Sequence, residues 1–409
     1  MQLLYTFSIY CYQGFIRVAS LFHSKARQMV QGQKRTIPLI KHKLDLNKET
    51  FWFHAASLGE FEQGRPLIET IKKQSPDSQI VLSFFSPSGY EIRKNYKEAD
   101  VVCYLPFDTK KNAAAFINAV NPSKVIFIKY EFWANYLTIL HQKNIPTFLI
   151  SAIFRPDQLF FRKYGLFYRR LLTFFDHIFV QDQRSASILS SHHIQHVSVA
   201  GDTRFDRVIA IASEAKQLPL IEKFCEHHQV YIMGSSWPAD ETLMISYFNT
   251  HPSFRLIIAP HVTNAAHIKA VCDAVQRPCI RLSEATIDNV IDAECLVIDS
   301  IGLLSSIYRY GDAAYIGGGF GAGIHNVLEA AVYGIPVIFG PKFQKFREAI
   351  DLIQVGGGFS VQSQKELDQL LNEWAQDNQK IKKAGHEAEK YVRDQQGATQ
   401  KILPYLLTR

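Results

Sequence analysis

The stretch Phe51-Trp-Phe-His-Ala-Ala-Ser-Leu-Gly-Glu-Phe-Glu-Gln-Gly-Arg-Pro-Leu-Ile-Glu-Thr-Ile71 runs from a solid apolar patch into a helical pattern. A short apolar run followed by a helix is the unit from which parallel sheets are built. Ser57-Leu58-Gly59-Glu60 has the Ser-x-x-Glu spacing of a helix capping box. A glutamate at the mouth of a strand–loop–helix turn is also where an α/β enzyme places a general base. Glu60 is therefore a candidate for either role, and its carboxylate is expected to face a ligand cleft.

The same alternation extends through the chain. Runs at 80–85, 101–104, 125–128, 147–150, 177–180 and 197–200 follow, separated by helical stretches. After Arg204-Phe205-Asp206-Arg207 the pattern breaks, then restarts with runs at 230–233, 255–259, 295–298, 313–316 and 336–339. Solid apolar strands between helices are parallel strands buried on both faces. At 409 residues the chain exceeds one ordinary core, and two domains of ~200 residues are expected. The expected division is an apolar, basic N-terminal segment (1–44), an α/β domain (45–210), a linker (211–228) and a second α/β domain (229–409). The last helices of that second domain are expected to read back onto the first. Two doubly wound, Rossmann-like domains facing a central cleft are the general shape of GT-B glycosyltransferases, a shape other bilobal enzymes share.

Charge placement excludes some functions. No acid precedes Asp45, while Arg17, Lys25, Arg27, Lys34, Arg35, Lys41 and Lys43 lie ahead of it. Those residues account for the formal charge of +7. The remainder is near neutral, which argues against a nucleic-acid partner. Leu3–Phe22 is apolar and aromatic, interrupted by Gln13 and Arg17. An interfacial helix, a tilted single-pass anchor and a buried helix remain open for it, and membrane contact is the expectation. The basic flank would then keep the protein body on the cytoplasmic side. The six cysteines form no Cys-x-x-Cys pair, as expected of reduced thiols. No Asp-x-Asp and no His/carboxylate cluster at metal spacing occurs, so neither a metal nor another cofactor is expected.

The second domain carries the richest motif, Ala313-Ala-Tyr-Ile-Gly-Gly-Gly-Phe-Gly-Ala-Gly-Ile-His-Asn-Val-Leu-Glu329. Glycines after a strand let backbone amides approach an anion, and a helix opened by His325-Asn326 would add its dipole. Gly317, Gly318 and Gly319 are candidates for that contact, with Glu329 in reach of a ribose. The alternative is a turn whose glycines only permit close packing. Ser235 and Ser236, after another strand, could meet a phosphate or sugar carboxylate, or simply start a helix. His261 follows a third strand, as either a ligand contact or a structural residue.

Taken with His-Ala-Ala-Ser-Leu-Gly-Glu (54–60), these motifs resemble the 3-deoxy-D-manno-octulosonic acid (Kdo) transferases, which move Kdo from CMP-Kdo to lipid A precursors. Ser-Pro-Ser-Gly-Tyr-Glu (86–91), Tyr-Leu-Pro-Phe-Asp (104–108), Lys-Tyr-Glu-Phe-Trp (129–133) and Gly-Ser-Ser-Trp-Pro-Ala-Asp-Glu (234–241) also carry the resemblance, which covers almost the whole chain in order. It implies an inverting, metal-independent GT-B enzyme on the cytoplasmic face of the inner membrane. Glu60 matches the general base and Glu131 a second essential glutamate. Ser57, Gly59, Ser88 and Gly89 fall on the acceptor side. Ser235, Ser236, His261, Gly317, Gly318, Gly319, His325, Asn326 and Glu329 fall on the CMP-Kdo side. Ala259-Pro260-His261 departs from the family's Pro-Arg-His, and Ala152-Ile153 from its Ala-Arg, with Arg155 two positions on. A UDP-sugar transferase and a membrane-tethered nucleotide-binding module without turnover are the alternatives.

Overall fold

The computed structural model describes residues 1–408 and contains two units, Met1–Arg207 with Gln396–Arg409, and Val208–Gln395. The change of unit falls inside one helix, Thr203–Ser213. Residues 211–228, read as linker, hold the end of that helix and a second one, Pro219–Cys225.

The first unit is built on strands β1 (Thr50–Ala55), β2 (Gln79–Phe84), β3 (Val101–Tyr104), β4 (Lys124–Ile128), β5 (Thr147–Ala152), β6 (His177–Val180) and β7 (Val197–Val199). All are parallel, in the order β3-β2-β1-β4-β5-β6-β7. Every residue of β1 is buried, because helices cover both faces of the sheet. Trp52 enters one apolar layer with Phe116, Phe127 and Tyr136, while Phe51, Phe53 and Ala55 enter the other with Phe61, Phe84, Ile402 and Leu406. The helices that position the site are α1 (Gln2–Ala19), α2 (Ser24–Lys43), α3 (Leu58–Gln74), α4 (Pro87–Arg93), α5 (Lys110–Val120) and α6 (Ala134–Gln142).

The C-terminal helix Ala398–Leu407 completes this unit. Asp206 accepts the Gly397 and Thr399 amides, both at 2.6 Å, and Lys124 Nζ donates to the Leu406 and Thr408 carbonyls, also at 2.6 Å. An acid at the helix start and a base at its end satisfy the groups that the helix cannot satisfy itself.

No helix among the described residues is long and apolar enough to cross a membrane. Most of Leu3–Phe22 lies on α1. The helix ends at Ala19, and one of its faces is half-buried against the first unit.

The second unit holds β8 (Val230–Ser236), β9 (Arg255–Pro260), β10 (Cys279–Arg281), β11 (Cys295–Val297), β12 (Ala313–Ile316), β13 (Val337–Phe339) and β14 (Gly358–Ser360). These too are all parallel, in the order β10-β11-β9-β8-β12-β13-β14. The first sheet reverses its order at β1/β4; in the second the chain crosses from one side of the sheet to the other at β8/β12, with β10 and β11 interchanged at the far edge. Ligands bind beyond the carboxyl ends of the strands at such a reversal.

Candidate functional site

In the first unit both candidate glutamates follow the strands of the reversal, Glu60 after β1 and Glu131 after β4. Ser57 is the N-cap residue of α3 and Glu60 stands in its first turn. Glu60 Oε2 accepts the amides of Ala56 at 2.6 Å and Ser57 at 3.1 Å. The expectation that the carboxylate faces a ligand cleft instead of Ser57 is therefore corrected for Oε2. Amides left without helical partners at a helix start draw the nearest acid. The other oxygen, Oε1, takes no hydrogen bond among the described residues. Burial, then the charge of Glu131, raises the Glu60 pKa above the ordinary carboxylate range, against the Ala56 amide, His54 and the Ser57 amide. The acid is at once a cap and a strengthened base.

Glu131 is buried, and its Oε2 takes His54 Nε2 at 3.0 Å and the Trp133 indole N–H at 2.6 Å. His54 is fully buried in β1, with Nδ1 at 2.9 Å from the Ser83 hydroxyl. Ser83 in turn accepts the Trp52 indole N–H at 2.7 Å. With Nε2–H directed at Glu131, Nδ1 accepts the Ser83 proton, and the chain Trp52–Ser83–His54–Glu131 is complete. Oε1 of Glu131, like that of Glu60, takes no hydrogen bond among the described residues. The connecting segment starts at Lys129 with φ +68°, a conformation costly for a side-chain-bearing residue and typical of functional loops. Arg155 lies close enough to the Tyr130 hydroxyl to lower its pKa against the larger effect of burial, and the charge of Glu60 also reaches that hydroxyl. This displaced arginine thus lies beside the same segment.

The remaining residues expected on the acceptor side line the adjacent turns. A Cβ on Gly89 would fall 2.5 Å from the Phe84 ring and 3.2 Å from the Leu58 amide, so glycine lets the β2–α4 turn approach the start of α3. Gly59 faces open space. The Ser88 hydroxyl is exposed and lies 2.8 Å from that of Ser86.

In the second unit the glycine loop follows β12, and most of its amides are already used. Asp240 Oδ2 accepts the Gly318 amide at 2.9 Å, Gly317 donates to Gly234, and Gly321 donates to Gly318. Of the five residues 317–321, only the Gly319 and Phe320 amides are without a partner among the described residues. A Cβ on Gly317 would meet the Ser235 carbonyl at 2.3 Å, and one on Gly319 would meet Gly340 Cα at 2.6 Å. Close packing of the loops after β8, β12 and β13 is thus a large part of what these glycines do. The helix expected to open at His325-Asn326 is a single turn, Leu328–Ala331, whose dipole is correspondingly small. Asn326 Nδ2 donates to Glu329 Oε1 at 3.0 Å.

Ser236 is buried and donates to Glu241 Oε1 at 2.8 Å, which His267 Nε2 also approaches at 3.1 Å. Its hydroxyl is therefore committed to the fold, whereas Ser235, at φ +51°, makes the bulge that ends β8. Three rings gather at these strand ends. Trp237 stacks on His261 at 4.7 Å, His261 on His325 at 4.6 Å, and the Trp237 indole N–H donates to His325 Nε2 at 3.1 Å. Burial and the neighbouring His261 lower the His325 pKa, so His325 is neutral at pH 7 with its proton on Nδ1. His54 and Trp237 were not singled out in the sequence.

Residues 26–207 match the family model described as 3-Deoxy-D-manno-octulosonic-acid transferase (kdotransferase). Relatives of the same description extend over both units. The 3-deoxy-D-manno-octulosonic acid transferase of Aquifex aeolicus (strain VF5) is 26% identical over 85% of this chain and 92% of its own length. That of Haemophilus influenzae is 24% identical over 87% of each. The chain is thus similar to Kdo transferases across both units. It is accordingly a glycosyltransferase. Among solved structures, the UDP-GlcNAc 2-epimerase of Neisseria meningitidis bound to UDP-GlcNAc superposes with a TM-score of 0.61 at 15% identity, covering 88% of this chain and all of that one. At that identity the likeness is one of fold, the two-unit α/β architecture of GT-B proteins.

Proposed function

We propose that this chain moves Kdo from CMP-Kdo to an anionic, amphiphilic lipid A precursor, with inversion and with Glu60 as general base. The observation that carries the reading is the pair of glutamates past β1 and β4, in which Glu131 raises the basicity of Glu60 while the backbone holds one of its oxygens. A fixed Oε2 leaves Oε1 to take the proton of the acceptor hydroxyl. CMP is a good leaving group, so one carboxylate and correct positioning suffice for in-line attack.

The donor belongs to the second unit in this reading. Trp237 and His261 offer ring faces to a pyrimidine, the Nδ1–H of His325 offers a donor, and the Gly319 and Phe320 amides suit phosphate oxygens. Support for a membrane-borne acceptor comes from α1 and the basic α2. Leu3, Leu4, Phe7, Phe15 and Val18 of α1 are exposed, and Lys or Arg near an anionic surface contributes about 1 kcal/mol each. That places the protein on the cytoplasmic face of the inner membrane in this reading.

The Glu60→Gln variant tests the base. It should bind CMP-Kdo as the parent does and lose transfer. Transfer at the parent rate would remove Glu60 from the mechanism.

A further inference from the structure

The N-terminal helix is joined to the Glu131 segment by two separate routes. In the polar route, the Tyr5 hydroxyl donates to Asp108 Oδ2 at 2.7 Å and accepts the Ala134 amide at 3.4 Å. Asp108 is fully buried and accepts the Asn135 and Tyr136 amides, each at 3.0 Å. These amides belong to the first turn of α6, which otherwise lacks a side-chain cap. Thr6 adds a contact to Asn135 Oδ1 at 3.4 Å.

In the aromatic route, Tyr12 packs on Phe85 with ring centres 6.4 Å apart, and Phe85 packs on Trp133 at 4.7 Å. Trp133 donates to Glu131 Oε2. The two routes thus end at Asn135 and Trp133, with only Ala134 between them, and Trp133 is two residues after Glu131.

A helix that served only as a tether would have no need to converge on this segment. α1 buries none of its residues completely, so it adds little to the core, yet its polar contacts reach the start of α6. The strained turn at Lys129 leaves the segment in need of support at its far end, and Asp108 and Tyr5 supply it.

We infer that α1 is a positioning element for Glu131: Tyr5, through Asp108, and Tyr12, through Phe85 and Trp133, hold the carboxylate in its orientation. The inference deepens the proposed function and rests on it for its kinetic readout only.

The test uses the full-length chain with Tyr5→Phe, Tyr12→Leu and, as a control at an exposed position of α1, Cys11→Ser. Transfer is measured from CMP-Kdo to a water-soluble, deacylated acceptor without a bilayer. A positioning role predicts that Tyr5→Phe and Tyr12→Leu lower kcat about tenfold and leave CMP affinity unchanged, while Cys11→Ser stays at the parent rate. Parent kcat in both tyrosine variants, or a loss seen only on vesicle-borne acceptor, overturns it.

A second readout needs no substrate. The Trp133 indole N–H resonance, assigned by its loss in Trp133→Phe, should shift in Tyr5→Phe and in Tyr12→Leu. An unmoved resonance in both variants overturns the inference. An inactive parent with shifted resonances would instead count against the substrate assignment alone.

Discussion

Glu60 and Glu131 each have one oxygen held and one without a hydrogen bond among the described residues. Glu60 Oε2 is bound by the Ala56 and Ser57 amides at 2.6 and 3.1 Å, and Glu131 Oε2 by His54 and Trp133 at 3.0 and 2.6 Å. The charge of Glu131 adds to burial in raising the Glu60 pKa. Two like charges near one another resist joint ionisation, which makes the pair a natural place to accept a proton.

That coupling has a pH signature. Transfer should fall on the acid side as Glu60 becomes protonated, with a midpoint above the ordinary carboxylate range. Replacing Glu131 by Gln removes one of the causes raising that pKa, so the acid limb of whatever activity remains should move to lower pH. A limb in Glu131→Gln that stays in place or moves upward would show that Glu131 does not tune Glu60.

His54→Ala removes the partner shared by Glu131 and Ser83. A buried acceptor left partly unpaired costs about 1–3 kcal/mol, so chemical denaturation should show a loss of that order. The kcat for transfer should fall further than donor affinity does. An unchanged kcat in a folded variant would leave His54 with a purely structural part.

On the donor side, Trp237→Ala removes the outer ring of the Trp237–His261–His325 stack. Ring pairs contribute about 0.5–1.5 kcal/mol beyond area, so CMP binding by calorimetry should weaken about two- to tenfold. Protonated His325 can no longer accept the Trp237 N–H. CMP affinity in the parent should therefore decline as pH falls through the lowered His325 pKa, and that decline should vanish in His325→Asn.

Asp108 offers a test of stability. Burial pushes its pKa up to about 7, against the bonds from Tyr5, Asn135 and Tyr136. A raised folded-state pKa gives a contribution that is full below the unfolded-state value and lost as pH rises through about 7. The parent should lose stability relative to Asp108→Asn between the ordinary carboxylate range and neutrality. Parallel pH curves from the two proteins would contradict the shift.

The strands bearing the site were legible because parallel strands covered on both faces leave solid apolar runs, as at Phe51–Ala55 and Val125–Ile128. The edge strands β10 and β14 were missed, having three residues each with partly exposed side chains, too few for a periodic pattern. His54 was hidden in such an apolar run. A lone polar residue there signals a buried partner, but the partner, Glu131, lies seventy-seven positions away. The glycine loop was readable as a close approach of backbone to something. What it approaches is mainly Asp240, Ser235 and Gly340, and only the folded sheet brings those together.

The most direct measurement is the mass of the acceptor after incubation with purified protein, CMP-Kdo and a tetra-acylated lipid A precursor, beside parallel incubations with UDP-sugars. The account predicts a gain of one or more Kdo residues, seen with CMP-Kdo alone and abolished in Glu60→Gln. An acceptor unchanged by CMP-Kdo, or one that gains a hexose from a UDP-sugar, would contradict it.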